Sequence, residues 1–250
     1  MDELVNEVPR LVQISKHVCS SLHSVDGILV KLIEKPYVRI SQSPQNAMVT
    51  EGDRLHLHCE ANGIPPPRIY WMKNGEVVRQ DISQDEHNTV DMMMNVNRKA
   101  VQNGNTAGEL VVDCASVQDL GQYQCFATNG LEVVSSKATV LVRSADEEQP
   151  VKKCKVSKPP QIFMWSDFRF EMNGNAVQLF CRTTGFSKSQ VLWLDPEGNE
   201  IRTNDQYEVL ANGDLIIKHG KWEYGGLYTC KVENRFGSDQ KQVFYYPTAV

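Results

Sequence analysis

Two stretches decide the fold: Asp119-Leu120-Gly121-Gln122-Tyr123-Gln124-Cys125 and Tyr224-Gly225-Gly226-Leu227-Tyr228-Thr229-Cys230. Each sets a glycine two residues before a Tyr-x-Cys triplet, so the tyrosine and the cysteine share one face of a strand that follows a sharp corner. Working back from each triplet, the same partners recur. Cys59 is followed twelve residues later by Trp71, and Cys181 twelve residues later by Trp193. In Leu55-His56-Leu57-His58-Cys59, period-two alternation puts Leu55, Leu57 and Cys59 on one buried face, and Val177, Leu179 and Cys181 repeat that pattern. Working forward, a turn signal follows each triplet, Asn129-Gly130 in one copy and Asn234-Arg235-Phe236-Gly237 in the other. A last strand closes each unit, Ala138 to Val142 and Gln242 to Tyr246.

The pattern is that of the immunoglobulin sandwich: two cysteines pointing into the space between two sheets, a tryptophan packed on their bridge, and a tyrosine bonding back across the corner. The core signature residues are therefore Trp71 and Tyr123 in the first copy and Trp193 and Tyr228 in the second. Two copies predict an all-β protein of two tandem immunoglobulin-like sandwiches of the I-set type, with bridges Cys59–Cys125 and Cys181–Cys230. Seven cysteines leave Cys19, Cys114 and Cys154 over. Cys114 and Cys154 both border the first sandwich, so a third bridge between them would pin the linker there; three free thiols is the alternative. Buried bridges require an oxidising compartment, so secretion is expected, with a leader cut from the mature protein or lying outside this chain.

Composition sets the boundaries. Residues 36–144 read as the first sandwich, 145–159 as a linker and 160–250 as the second sandwich. Residues 1–35 form an N-terminal extension in which Leu11, Ile14, Val18, Leu22, Val25, Leu29 and Leu32 recur at spacings of three and four, which predicts a short amphipathic helix. Its first residues include Asp2, Glu3 and Glu7, and no uninterrupted apolar run follows, so it is not a signal peptide. The linker is acidic at Asp146-Glu147-Glu148 and basic at Lys152, Lys153, Lys155 and Lys158, either a solvated hinge or a heparin-like site. A polar insertion from Arg79 to Asn105 sets the first pair of cysteines farther apart along the chain than the second.

At 250 residues, with 41% hydrophobic residues and a net charge of -5, the chain is an ordinary globular polypeptide without the basic field that nucleic acid or anionic membrane would call for. No apolar run is long enough to span a bilayer. Neither a Gly-rich phosphate loop nor a Gly-x-Ser-x-Gly elbow occurs, so no catalytic residue and no cofactor is expected, and the chain reads as a non-enzyme. His56 and His58 share the outward face of one strand, but no third metal ligand accompanies them, and no metal is expected. Along Ile162-Phe163-Met164-Trp165-Ser166-Asp167-Phe168-Arg169-Phe170 only one alternating set can face the core. If Phe168, Phe170 and Met172 are inside, Phe163 and Trp165 lie near an edge or the domain junction, either packing the sandwiches together or contacting a ligand. Met92-Met93-Met94 in the insertion is similarly soft and adaptable.

The second domain, through Tyr207-Glu208-Val209-Leu210-Ala211-Asn212-Gly213-Asp214-Leu215-Ile216-Ile217 and Lys221-Trp222-Glu223, resembles that of secreted two-immunoglobulin proteins, the nematode zwei-Ig family and the related insulin-binding neural/ectodermal development factor of insects. Asp113-Cys114-Ala115 and Gln124-Cys125-Phe126-Ala127-Thr128-Asn129-Gly130 are more similar to the nematode members. One departure is Tyr224, where such corners commonly hold Asp, so a salt bridge often made there must be missing. The resemblance implies a secreted binding protein that acts in maintenance of axon position, and a partner that is an insulin-like peptide or a neuronal surface protein. The alternative is the ectodomain fragment of a neuronal cell-adhesion receptor.

Overall fold

The computed structural model describes residues 35–80, 90–144, 154, 159–184 and 190–249. The expected N-terminal helix and Cys19 lie outside the described residues, as does most of the linker. The first sandwich is built from β1 (Tyr37–Gln42), β2 (Ala47–Thr50), β3 (Leu55–Ile64), β4 (Arg68–Lys73), β5 (Glu76–Val78), a short helix α1 (Val90–Met94), β6 (Asn103–Val112), β7 (Gly121–Thr128) and β8 (Val133–Arg143). The second comprises β9 (Gln161–Met172), β10 (Val177–Leu179), β11 (Cys181–Thr184), β12 (Gln190–Leu194), β13 (Glu200–Ile201), β14 (Tyr207–Val209), β15 (Leu215–Ile217), β16 (Gly226–Asn234) and β17 (Gly237–Thr248).

Alternation in β3 buries Leu55, Leu57, Cys59 and Ala61, and the same periodicity in β7 buries Tyr123, Cys125 and Ala127. Trp71 packs between them at 1% exposure. Cys59 and Cys125 are bonded, their Cα atoms 6.5 Å apart. The second sandwich repeats this with Trp193 at 0% exposure and a Cys181–Cys230 bond across 6.5 Å. At each corner the tyrosine hydroxyl donates to the carbonyl four residues back, Tyr123 to Asp119 at 3.0 Å and Tyr228 to Tyr224 at 2.8 Å. The first corner also holds a Lys73–Asp119 ion pair at 4.0 Å. In the second, Tyr224 stands in that position, its ring 6.2 Å from Tyr207.

The two sandwiches share a sheet. One path of strands runs β1-β3-β6-β9-β17-β16-β12-β13, so β9, the first strand of the second sandwich, pairs antiparallel with β6, the edge of the first. Within the first sandwich β6 has only β3 as a neighbour, and β9 occupies its other side. The second sandwich completes the first core: Met164 of β9 and Phe180, between β10 and β11, belong to the buried cluster around Trp71, and the Ile69 amide donates to Met164 Sδ at 3.3 Å. Conversely, Ala107 of β6 lies in the cluster around Trp193. Both sandwiches accordingly fall in one compact unit, Pro36–Val250. The expected hinge is bypassed by backbone pairing.

The insertion does more than lengthen a loop. Asp91 of α1 pairs with Arg169 of β9 at 2.7 Å, both buried, and Glu171 stands 3.4 Å from the same guanidinium. Asn95 bonds Ala176 in both directions at 2.8 Å, and the amides of Val101 and Gln102 donate to the Glu171 carboxylate at 2.9 and 3.2 Å. The first sandwich thus reaches over and clasps the start of the second through groups that would be costly to bury alone.

Candidate binding face on the shared sheet

The site begins with one extra residue. Along the β6–β9 ladder Ala107 pairs with Trp165 and Thr106 with Ser166, but Asn105 pairs with Phe168, so Asp167 is bulged out. A bulge shifts the two-residue alternation by one. Before it, Ile162 and Trp165 face the second core and Met164 the first; beyond it, Arg169 and Glu171 turn inward while Phe168 and Phe170 face out.

Register then assembles an aromatic surface. Phe168 pairs with Phe244 and Phe244 with Leu227, while Phe170 pairs with Tyr246, and cross-strand partners share a face. Ring centroids lie 5.1 Å apart for Phe168–Phe170, 6.0 Å for Phe170–Tyr246 and 6.3 Å for Phe244–Tyr246. A 3-10 turn at Trp222–Tyr224 adds Trp222, edge-on to Tyr246 at 5.7 Å. Tyr246, Trp222 and Leu227 are 43%, 49% and 50% exposed, with the three phenylalanines half-buried beneath them. Rings held by one another on a rigid sheet lose little conformational freedom on binding, which suits an interface core.

Across β9 the same face turns polar. Asn105 donates to Glu60 at 3.2 Å and to Asp167 at 3.3 Å, and accepts from Ser41 at 2.9 Å. Asn62 accepts from Tyr37 and donates to the Gly104 carbonyl at 3.2 Å. Nearer the junction, His58 lies 3.0 Å from Glu60 and 3.7 Å from Glu109, its ring 6.0 Å from Trp165. Lys241 of the second sandwich reaches Glu109 at 3.0 Å and stands 4.1 Å over the Trp165 ring. Contact with Glu109, then with Glu60, raises His58 to about 9, against the opposing effect of burial. Burial alone would raise Glu109, but bonds from His58 and Lys241 outweigh it and hold the carboxyl at about 2. Both histidines read from the sequence thus face carboxylates, His56 also lying 3.4 Å from Glu109. Among the described residues no group of three His, Cys, Asp or Glu side chains is arranged to hold a metal ion.

Of the two readings of Phe163 and Trp165, burial favours packing between the sandwiches. Trp165 is 8% exposed and packed in the second core, and Phe163 is half-buried against the first, so both join the sandwiches instead of presenting a surface. Phe168 and Phe170, taken as core, stand on the outer face. Cys114 and Cys154 are bonded, with Cα atoms 5.7 Å apart.

Comparison with known proteins places this geometry. The immunoglobulin domain family matches residues 35–129 and the immunoglobulin I-set domain family residues 169–244. Zwei Ig domain protein zig-4 of Caenorhabditis elegans is 30% identical over 239 residues, 92% of this chain and 90% of the relative. Zig-3 of the same organism is 31% identical over 248 residues, 95% of each. The chain belongs to the zwei Ig family. The crystal structure of the neural ectodermal development factor IMP-L2 shares the fold, with 23% identity, a TM-score of 0.67 and coverage of 86% of this chain and 96% of that one. Like its relatives this zwei Ig protein is an extracellular two-immunoglobulin binding protein, and its three disulfides suit an oxidising compartment. Among the described residues of this zwei Ig chain no helix is long and apolar enough to cross a membrane. What the sequence hid was the face itself. Its one local sign is the odd spacing of aromatic residues about Asp167, which alternation alone assigns to the wrong side.

Proposed function

We propose that this protein is a secreted binder that captures an extracellular peptide of the insulin-like class on the aromatic face, and that it serves the maintenance of axon position. The observation that carries the binding reading is the contiguous outer cluster of Phe168, Phe170, Phe244, Tyr246, Leu227 and Trp222, half of it well exposed. Supporting the ligand class is the resemblance of the second domain to an insulin-binding protein, whose Lys221-Trp222-Glu223 stretch supplies one ring of that cluster. Binding here is reversible burial of apolar area with a polar border, and no bond is made or broken.

Calorimetric titration with insulin-like peptides tests the ligand class and the face. Trp222→Ala and Tyr246→Ala are each expected to weaken binding by about 2 kcal/mol, roughly thirtyfold in Kd, while leaving the fold intact. Trp165→Ala should instead lower the unfolding free energy by about 3–5 kcal/mol, as loss of a core tryptophan does. No heat at micromolar peptide rejects the insulin-like ligand, and unchanged affinity in both surface variants rejects the face.

A further inference from the structure

We propose that the Cys114–Cys154 bridge is a reducible staple: a dithiol reductant opens it while both core bridges stay closed, and its opening loosens the joint between the sandwiches. This goes beyond the ligand reading and does not depend on it. Three observations carry it. Accessibility separates the bridges, because Cys154 is exposed and Cys114 half-buried, whereas Cys59, Cys125, Cys181 and Cys230 are each at 0% exposure. Chemistry separates them too, because Cys154 sits in Lys152-Lys153-Cys154-Lys155, and neighbouring ammonium groups favour a departing thiolate. Position gives the bond a task. Cys114 comes two residues after β6, and beside it Asp113 accepts a hydrogen bond at 3.1 Å from Gln161, the first residue of β9. The bridge therefore closes the open end of the β6–β9 ladder, the joint between the two sandwiches.

In the reduction, one thiolate of the dithiol attacks Cys114 Sγ and the Cys154 sulfur leaves as thiolate. The second thiolate of the reductant then displaces Cys114 from the mixed disulfide. Two electrons pass to the bridge, the reductant becomes a disulfide, and its two protons end on Cys114 and Cys154. The core bridges resist because no thiolate can approach them without unfolding.

Opening the bond lengthens a tether. With the bond closed, six residues (155–160) separate the anchored Cys154 from Gln161; without it, the tether from the end of β8 is seventeen residues (144–160). A longer covalent path constrains the two strands less, so separation of β9 from β6 becomes more frequent.

The full chain, its free thiols first blocked, is titrated with dithiothreitol, then alkylated and peptide-mapped. Cys114 and Cys154 are expected to label at reductant at least about tenfold more dilute than the other four, with tryptophan fluorescence unchanged. Simultaneous labelling of all six, or labelling of this pair last, overturns the proposal. In the Cys114→Ser, Cys154→Ser double variant, amide exchange over 103–108 and 164–170 should quicken severalfold. Exchange at the wild-type rate in that folded variant overturns the coupling to the joint.

Discussion

At the scale of single residues, the junction cluster makes a prediction about pH. His58 is raised from 6.5 to about 9 in the folded protein, chiefly by Glu109 and Glu60. A group whose folded value lies above its unfolded one contributes stability that is complete below about 6.5 and fades as pH rises through 9. Glu109, held near 2, contributes above its ordinary value of 4.5 and loses that contribution only as pH falls toward 2. The charge set binding β3 and β6 to Lys241 is therefore whole across the physiological range. His58→Gln should lower the melting temperature at pH 6 by an amount equivalent to about 1–2 kcal/mol, the ring being partly solvated, and the gap from wild type should close above pH 9. A gap independent of pH would show that packing against Trp165, and not charge, is what His58 supplies.

At the scale of elements, turns carry as much as strands. Gly213 sits at φ +97 in the turn before β15, and a Cβ there would lie 2.4 Å from the Cys181 carbonyl oxygen, beside the carbonyl that accepts Trp193 Nε1 at 2.8 Å. Gly213→Ala should cost about 2–4 kcal/mol in urea unfolding, adding strain to a clash with fixed backbone. Gly174, at φ +91 with nothing within 4 Å, should lose only about 1–2 kcal/mol on the same change. The corners, the core tryptophans and the two core cysteine pairs were legible in the sequence because the same motif recurs in both halves of the chain. The sheet joint was not, because β6 and β9 meet across some sixty residues of chain and neither strand announces its neighbour. Nor was the aromatic outer face, since Asp167 looks like any exposed aspartate, and only the ladder reveals that it is skipped.

At the scale of the whole molecule, the joint is unequal. The first sandwich lends the second an alanine and a clasp; the second lends the first a strand and two core side chains. A fragment ending at residue 144 should therefore melt well below the full chain and self-associate through its bare β6 edge. Residues 160–250 keep β11 and β17 beside β9 and should fold alone, with the β9 edge that faces β6 bared in turn. Gel filtration and thermal melts of the two fragments decide this, and a monomeric first fragment as stable as the full chain would sink it. The dependence also has a clock. At about 5–20 residues per second, a ribosome that has finished β8 needs roughly 2–7 s more to reach Phe180. For those seconds the nascent first sandwich has its own strands but lacks the side chains that complete its core, its floor open where Met164 and Phe180 will sit. A small domain otherwise able to fold in milliseconds to seconds is thus held waiting by the order in which it is written, with apolar surface exposed for the interval.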